Sequence, residues 1–180
     1  MAFLKKYGFN IFLAIIAAAF IGRYFYMKPN VNDGELAPNF KSTLLNGNAF
    51  ELSELRGQYV LLDFWGSWCG PCLADNPRLV EIYKKHNGNT FQDAKGFEIV
   101  SVAVEKNEAR WPKAVKRSGL IWPYHILDKA ESLRFFDSKL ATLYGVGDLP
   151  SKFLIDPSGK TIGVNQPAAE IDAFLESKRQ

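Results

Sequence analysis

Lys5 and Lys6 precede an apolar run from Tyr7 to Gly22 that only Asn10 interrupts, and Arg23 closes it. If Arg23 snorkels, Tyr24, Phe25, Tyr26 and Met27 extend the run towards the roughly 17 to 25 residues that a bilayer-crossing helix needs. The pattern predicts one hydrophobic N-terminal helix within residues 1–27, then a polar linker over 28–36. In the body, Asn46-Gly47 lies between Thr43-Leu44-Leu45 and Ala49-Phe50 and predicts a β-hairpin, because both turn residues tolerate positive φ. Tyr59 to Trp65 is almost continuously apolar, the mark of a central strand covered on both faces. Pro71 suits a first helical turn, and Leu79, Ile82 and Tyr83 continue that helix at helical spacing.

Further on, Phe97 to Val104 predicts a second buried strand and Asn107 to Arg117 a helix stopped by Ser118-Gly119. Tyr124 to Leu127 predicts a short strand, and Ser132 to Tyr144 a helix closed by Gly145. Lys152–Ile155 and Thr161–Val164 flank the turn Pro157-Ser158-Gly159, and Ala168 to Ser177 forms a final amphipathic helix. Strands alternating with helices imply an α/β domain over residues 37–180, with a parallel centre and an antiparallel edge.

Composition changes this picture little: 47% hydrophobic and 23% charged residues describe a globular chain. The net charge of +3 is an N-terminal effect, because Lys5, Lys6, Arg23 and Lys28 all precede the first acid, Asp33. From Asp33 onward 18 basic residues (22 less 4) face 19 acidic ones, a balance of −1 that excludes the electrostatic footprint of a nucleic-acid binder. Lys5 and Lys6 favour a cytoplasmic N-terminus, and the aromatics at 24–26 suit a membrane interface. Residues 7–27 therefore read as an uncleaved anchor with the body outside the cytoplasm. Cleavage after Ala19, releasing a secreted body, is the alternative, although it leaves Phe20, Ile21 and the aromatics on a free terminus. No cysteine precedes position 69, which removes lipid attachment at an N-terminal cysteine.

The two cysteines carry the chemistry. Cys69-Gly70-Pro71-Cys72 crosses a strand-to-helix junction, and residues three apart at a helix start lie close enough to form a disulfide. The positive end of the helix dipole favours a thiolate at Cys69, the expected nucleophile, while Cys72 lies further in as the resolving thiol. Gly70 and Pro71 remove side-chain bulk and one backbone donor, which bears on the reduction potential. Zinc needs two further ligands, and the only histidines, His86 and His125, do not complete the required spacing. Haem attachment needs histidine after Cys72, where Leu73 stands. A structural bridge closing four residues would constrain little unfolded-state entropy. Asp63, a carboxylate within an apolar run, should have its pKa raised by burial, which suits proton exchange with Cys72; a strand-end Asp reaching solvent is the plain alternative. Trp68 is expected to cover the site as a recognition surface, and Trp65 to be core. His86 is expected to be solvated at a helix end, and Glu105 and Glu108 to be loop and helix-start acids.

Ala37-Pro38-Asn39-Phe40, the Asn46-Gly47 turn, Leu52-Ser53-Glu54-Leu55-Arg56-Gly57, the Trp-Cys-Gly-Pro-Cys site and Leu149-Pro150 before Phe153-Leu154-Ile155-Asp156 occur in an order that resembles the thioredoxin superfamily. The resemblance is to its TlpA/ResA-type extracytoplasmic branch, an AhpC/TSA-like thioredoxin domain. It implies a thioredoxin fold, a central mixed sheet flanked by helices with an added N-terminal hairpin. It also implies a cis bond at Leu149-Pro150 that exposes the Leu149 backbone to a substrate strand. Asp63 matches the buried aspartate of thioredoxin, and Asp75 stands where the ResA-type pattern has glutamate. The implied activity is thiol:disulfide oxidoreduction, in the reducing direction, on protein disulfides such as those of apocytochrome c or envelope proteins. No bound cofactor is required, and a membrane electron donor would reset the pair. A peroxiredoxin-type peroxidase is disfavoured: its Pro-x-x-x-Thr-x-x-Cys pattern would need Pro and Thr where Cys69 has Leu62 and Gly66. A metal-delivery or disulfide-holding adaptor is the non-enzymatic alternative.

Overall fold

The computed structural model describes the backbone of residues 2–27, 30–133 and 136–180; the side chains of residues 2–6, 8 and 23–27 lie outside the described set. The first element is a helix, α1 (Ala2–Met27), on which Phe9, Phe12, Ile15 and Phe20 are exposed. Among the described residues no helix is long and apolar enough to cross a membrane. The flanking lysines and the aromatics at 24–26, on which the anchor expectation rests, lie outside the described side chains.

Residues 30–36, read as a linker, lie against the body. Val31 is buried, Asn30 N donates to Tyr144 O at 3.1 Å, and Gly34 N donates to Thr161 O at 2.7 Å. Gly145, in the left-handed region at φ 66°, permits this close approach, because a Cβ there would collide with Asn30.

Strands β1 (Lys41–Thr43) and β2 (Ala49–Glu51) pair antiparallel across the Asn46-Gly47 turn. A five-stranded sheet follows, built from β3 (Tyr59–Trp65), β4 (Phe97–Glu105), β5 (Tyr124–Lys129), β6 (Ser151–Ile155) and β7 (Thr161–Val164) in the order β5-β4-β3-β6-β7. β3, β4 and β5 are mutually parallel, β6 runs antiparallel to β3, and β7 runs antiparallel to β6. β3, apolar except for Asp63, is central because both its faces are covered; every one of its residues is buried. Phe64 on one face packs against Tyr144 and Phe153, and Tyr144 Oη donates to Pro38 O at 2.7 Å, tying the segment that leads into β1 to the core.

The helices are α2 (Gly70–His86), α3 (Trp111–Arg117), α4 (Lys139–Tyr144) and α5 (Ala168–Lys178). Two are shorter than their sequence pattern predicts. The helix expected from Asn107 opens as a 3₁₀ turn over Glu108–Arg110 before α3 begins. The helix expected from Ser132 begins only at Lys139. There Asp128 at the end of β5 accepts the N–H of Leu140 at 3.0 Å and of Ala141 at 2.8 Å, so a distant carboxylate sets the helix start. Residues 134 and 135 of that expected helix lie outside the described residues.

Candidate active site

The carboxyl ends of parallel strands are where open α/β sheets place their sites, and here β3 leads out of the sheet straight into the cysteine motif. Cys69 is the N-cap of α2, with extended backbone, and its Sγ accepts the N–H of Cys72 at 3.2 Å. Cys69 and Cys72 form a disulfide across a Cα–Cα distance of 5.3 Å. Cys69 retains 4% exposure and Cys72 none, so Cys69 is the outer sulfur, although the oxidised pair is more covered than an open nucleophile would be. The Cys72 N–H is the first-turn donor that reaches Cys69 Sγ, and with the positive end of the α2 dipole it favours a thiolate there once the bond is cut.

The rim is partly apolar. Trp68 is 39% exposed, its Nε1–H donates to Val104 O at 2.9 Å, and its ring stacks on Phe136 at 6.3 Å. Gly66 is needed for this placement, because a Cβ there would lie 2.7 Å from Trp68 Nε1. Gly70 and Pro71 are exposed, and a Cβ at Gly70 would meet nothing within 4 Å. The Leu149-Pro150 bond is cis. Ser151 pairs with Phe64, so Pro150 falls opposite Trp65, at the sheet end from which the cysteine loop departs. The Leu149 backbone is less free than the resemblance implies. Leu149 is 8% exposed and its N–H donates to Asp148 Oδ1 at 2.8 Å.

A charged cluster links the sheet to α2. Asp63 of β3 is the direct cross-strand partner of Lys152 of β6, which puts both side chains on one face of the sheet. Lys152 Nζ lies 2.5 Å from Oδ2 of Asp75, one helical turn beyond Cys72. Burial pushes the Asp63 carboxyl up to about 7; the Lys152 ammonium opposes the rise and the Asp75 carboxylate adds to it. Asp63 is buried, not a strand-end acid in solvent. A carboxyl titrating near neutrality can hold a proton and give it up under one set of conditions, which is what a thiol that must ionise requires of a neighbour. Sequence reading singled out Asp63 but not Lys152, which looks like any polar residue at a strand start.

Glu105 departs from its sequence expectation as well. Instead of a loop acid it ends β4, is 1% exposed, and accepts the Ser67 N–H at 2.5 Å and the Ser67 Oγ–H at 3.1 Å. It thereby fixes the loop two residues before Cys69. The parallel register explains this, since Trp65 pairs with Ala103 and the next residues continue side by side. His86 needs the same correction. It is fully buried, with Nε2 2.7 Å from Asp172 Oδ1 and its ring near Phe91 and Phe97, because α5 packs over the end of α2. Trp65 is core, as are Trp111 and Trp122. Among the described residues no group of three or more His, Cys, Asp or Glu is placed to hold a metal ion.

Residues 34–162 match the AhpC/TSA family. The chain is 34% identical to the thiol-disulfide oxidoreductase ResA of Bacillus anthracis over 86% of its own length and 84% of that protein's. It is 33% identical to ResA of Bacillus subtilis over 87% of its length and 75% of the relative's. In structure it is similar to the thioredoxin domain of a thiol-disulfide oxidoreductase from Bacteroides vulgatus, with a TM-score of 0.67 and 28% identity, covering 82% of this chain and 98% of that one. With the sheet order, the N-capping cysteine and these relatives in agreement, the chain belongs to the AhpC/TSA family of thioredoxin-fold proteins and groups there with the ResA-type thiol-disulfide oxidoreductases.

Proposed function

We propose that this protein is a thiol:disulfide oxidoreductase that reduces protein disulfides outside the cytoplasm, tethered by residues 7–27. The observation that carries the reading is the Cys69–Cys72 disulfide at the head of α2, with Cys69 Sγ as the outer, N-capping sulfur. In the reduced protein the Cys69 thiolate attacks one sulfur of a substrate disulfide, forming a mixed disulfide and releasing the other substrate sulfur as a thiolate. Cys72 then loses its proton and attacks Cys69 Sγ; the second substrate thiolate leaves and the internal disulfide returns. Asp63 accepts the Cys72 proton in that step. A membrane thiol:disulfide donor supplies two electrons and two protons to reset the pair.

Trp68, Gly70 and Pro71 form the surface a substrate meets. A substrate strand that pairs with the Leu149 N–H beside Pro150 must first take that donor from Asp148. The reducing direction rests on Gly70-Pro71 and on the ResA-type resemblance, as do substrates such as apocytochrome c and oxidised envelope proteins. Tethering is supported by the apolar run between Lys6 and Arg23 and by its exposed face. Release of the body after cleavage is the alternative.

The Cys72→Ala variant tests the mechanism. It should accumulate reductant-sensitive adducts on Cys69 in intact cells, and the absence of adducts together with no disulfide exchange in vitro would reject it. A reduction potential near about −270 mV would fix the direction as reducing, and one near about −120 mV as oxidising.

A further inference from the structure

A cavity of 300 Å³ opens beside the cysteine loop, lined by Ser67, Arg110, Lys113, Ala114 and Arg117. Its floor is the end of the sheet where β3 and β4 finish, since Ser67 is held there by Glu105. Its wall is α3 and the turn before it. Arg110, Lys113 and Arg117 recur at intervals of three and four residues, so one face of that helical segment carries three cations. All three are exposed, and among the described residues no carboxylate forms an ion pair with them. Lys106 and Lys116 add to the same segment. Its one acid, Glu108, is held by Lys129 at 2.8 Å, and the Glu105 carboxylate is buried and committed to Ser67. The asymmetry is local, because the chain from Asp33 onward has a net charge of −1.

Unpaired cations around a concave, solvated cleft raise the local concentration of anions and accelerate their encounter. Ser67 belongs both to this cleft and to the loop carrying Cys69, two residues away, so whatever fills the cleft touches the loop that presents that sulfur. We propose that the Ser67–Arg110–Lys113–Arg117 cleft is a specificity subsite for an acidic peptide segment flanking the substrate's disulfide. This rests on the oxidoreductase reading above and names the substrate class of the same site. The carboxylates of the segment pair with the Arg110, Lys113 and Arg117 side chains while its disulfide faces Cys69. Because the pairs stay near solvent, they act on encounter and selectivity more than on the chemical step.

The test uses the full-length protein in neutral detergent with three disulfide-bonded peptides of equal length, whose cysteines are flanked by Asp/Glu, by Ser/Asn or by Lys. At low salt the acidic peptide should show a kcat/KM about tenfold above the neutral one, and the difference should shrink at high salt. In Lys113→Gln/Arg117→Gln the value for the acidic peptide should fall to that for the neutral peptide. Lys84→Gln/Lys160→Gln, with the same charge change elsewhere, should keep the preference. Equal values for acidic and neutral peptides in the unmodified protein, or a preference that survives in Lys113→Gln/Arg117→Gln, would overturn the proposal. So would a lack of peptide discrimination accompanied by binding to phosphatidylglycerol vesicles that the double variant loses, which would make the cleft a lipid-headgroup site. Binding of the acidic peptide with both cysteines replaced by serine, followed by anisotropy, separates the two readings. Binding without turnover of any disulfide peptide would uphold the cleft and sink the redox reading. Turnover without preference would do the reverse.

Discussion

Asp63 and Lys152 are direct cross-strand partners between β3 and β6, a buried acid and a buried base on one face of the sheet. The ammonium is shared with Asp75, so the cluster has two carboxylates for one cation, and the Asp63 carboxyl is the one driven up to about 7.

That value fixes a pH dependence. The folded protein binds the Asp63 proton up to about pH 7, whereas the unfolded chain releases it near about pH 4. The folded state therefore holds more protons in this window, and its stability falls as pH rises from about 4 to about 7, by up to about 4 kcal/mol. Asp63→Asn should lose this slope and be more stable than the unmodified protein at pH 8. Urea midpoints of the oxidised forms at pH 5 and pH 8 measure both. The same variant should slow the resolution step by about 10²-fold at pH 7, read by stopped-flow decay of the mixed disulfide.

Lys152→Met removes the only cation of the cluster and leaves Asp75 partly buried beside Asp63 without its counter-ion. Breaking such a pair from one side costs about 3 kcal/mol, and the loss should appear in chemical denaturation at pH 7. Combining it with Asp75→Leu should recover part of the loss, because no uncompensated charge then remains near Asp63 except the carboxyl itself. Failure of the double variant to recover would show that Lys152 acts through packing.

Glu105 holds Ser67 through two hydrogen bonds from a buried position. Glu105→Ala leaves the Ser67 N–H without its acceptor and should cost about 1–3 kcal/mol. Disulfide-exchange rate should fall with it, because the loop that presents Cys69 loosens. Glu105→Gln keeps an acceptor oxygen and should retain most of both. Paired denaturation and exchange assays on the two variants distinguish loop positioning from a plain loss of stability.

Two glycines of the site should respond in opposite ways. Gly66→Ala places a methyl 2.7 Å from Trp68 Nε1, so the indole must leave its bond to Val104 O. A change in tryptophan fluorescence and a lower thermal midpoint are expected. Gly70→Ala meets nothing within 4 Å and should fold with an unchanged midpoint, any effect being confined to the reduction potential.

The sequence alone carried the local order of this molecule. The almost continuous apolar run of Tyr59 to Trp65 carries the pattern of a strand covered on both sides, Pro71 and the spacing of Leu79, Ile82 and Tyr83 started and sustained α2, and Asn46-Gly47 turned the hairpin. Those signals depend on neighbours a few residues apart, and they put Cys69 at a helix start, where its chemistry could be read. Tertiary structure alone decided what surrounds the sulfurs. Lys152, Glu105 and His86 sit in ordinary polar contexts in sequence, and each was given its role by a segment far along the chain: Lys152 by the antiparallel register of β6 on β3, Glu105 by the parallel register of β4 on β3, and His86 by α5 closing over α2. Register and helix packing set which polar group is buried beside which partner, and no short-range pattern encodes that, because the energy of a buried charge depends on the groups the fold brings around it.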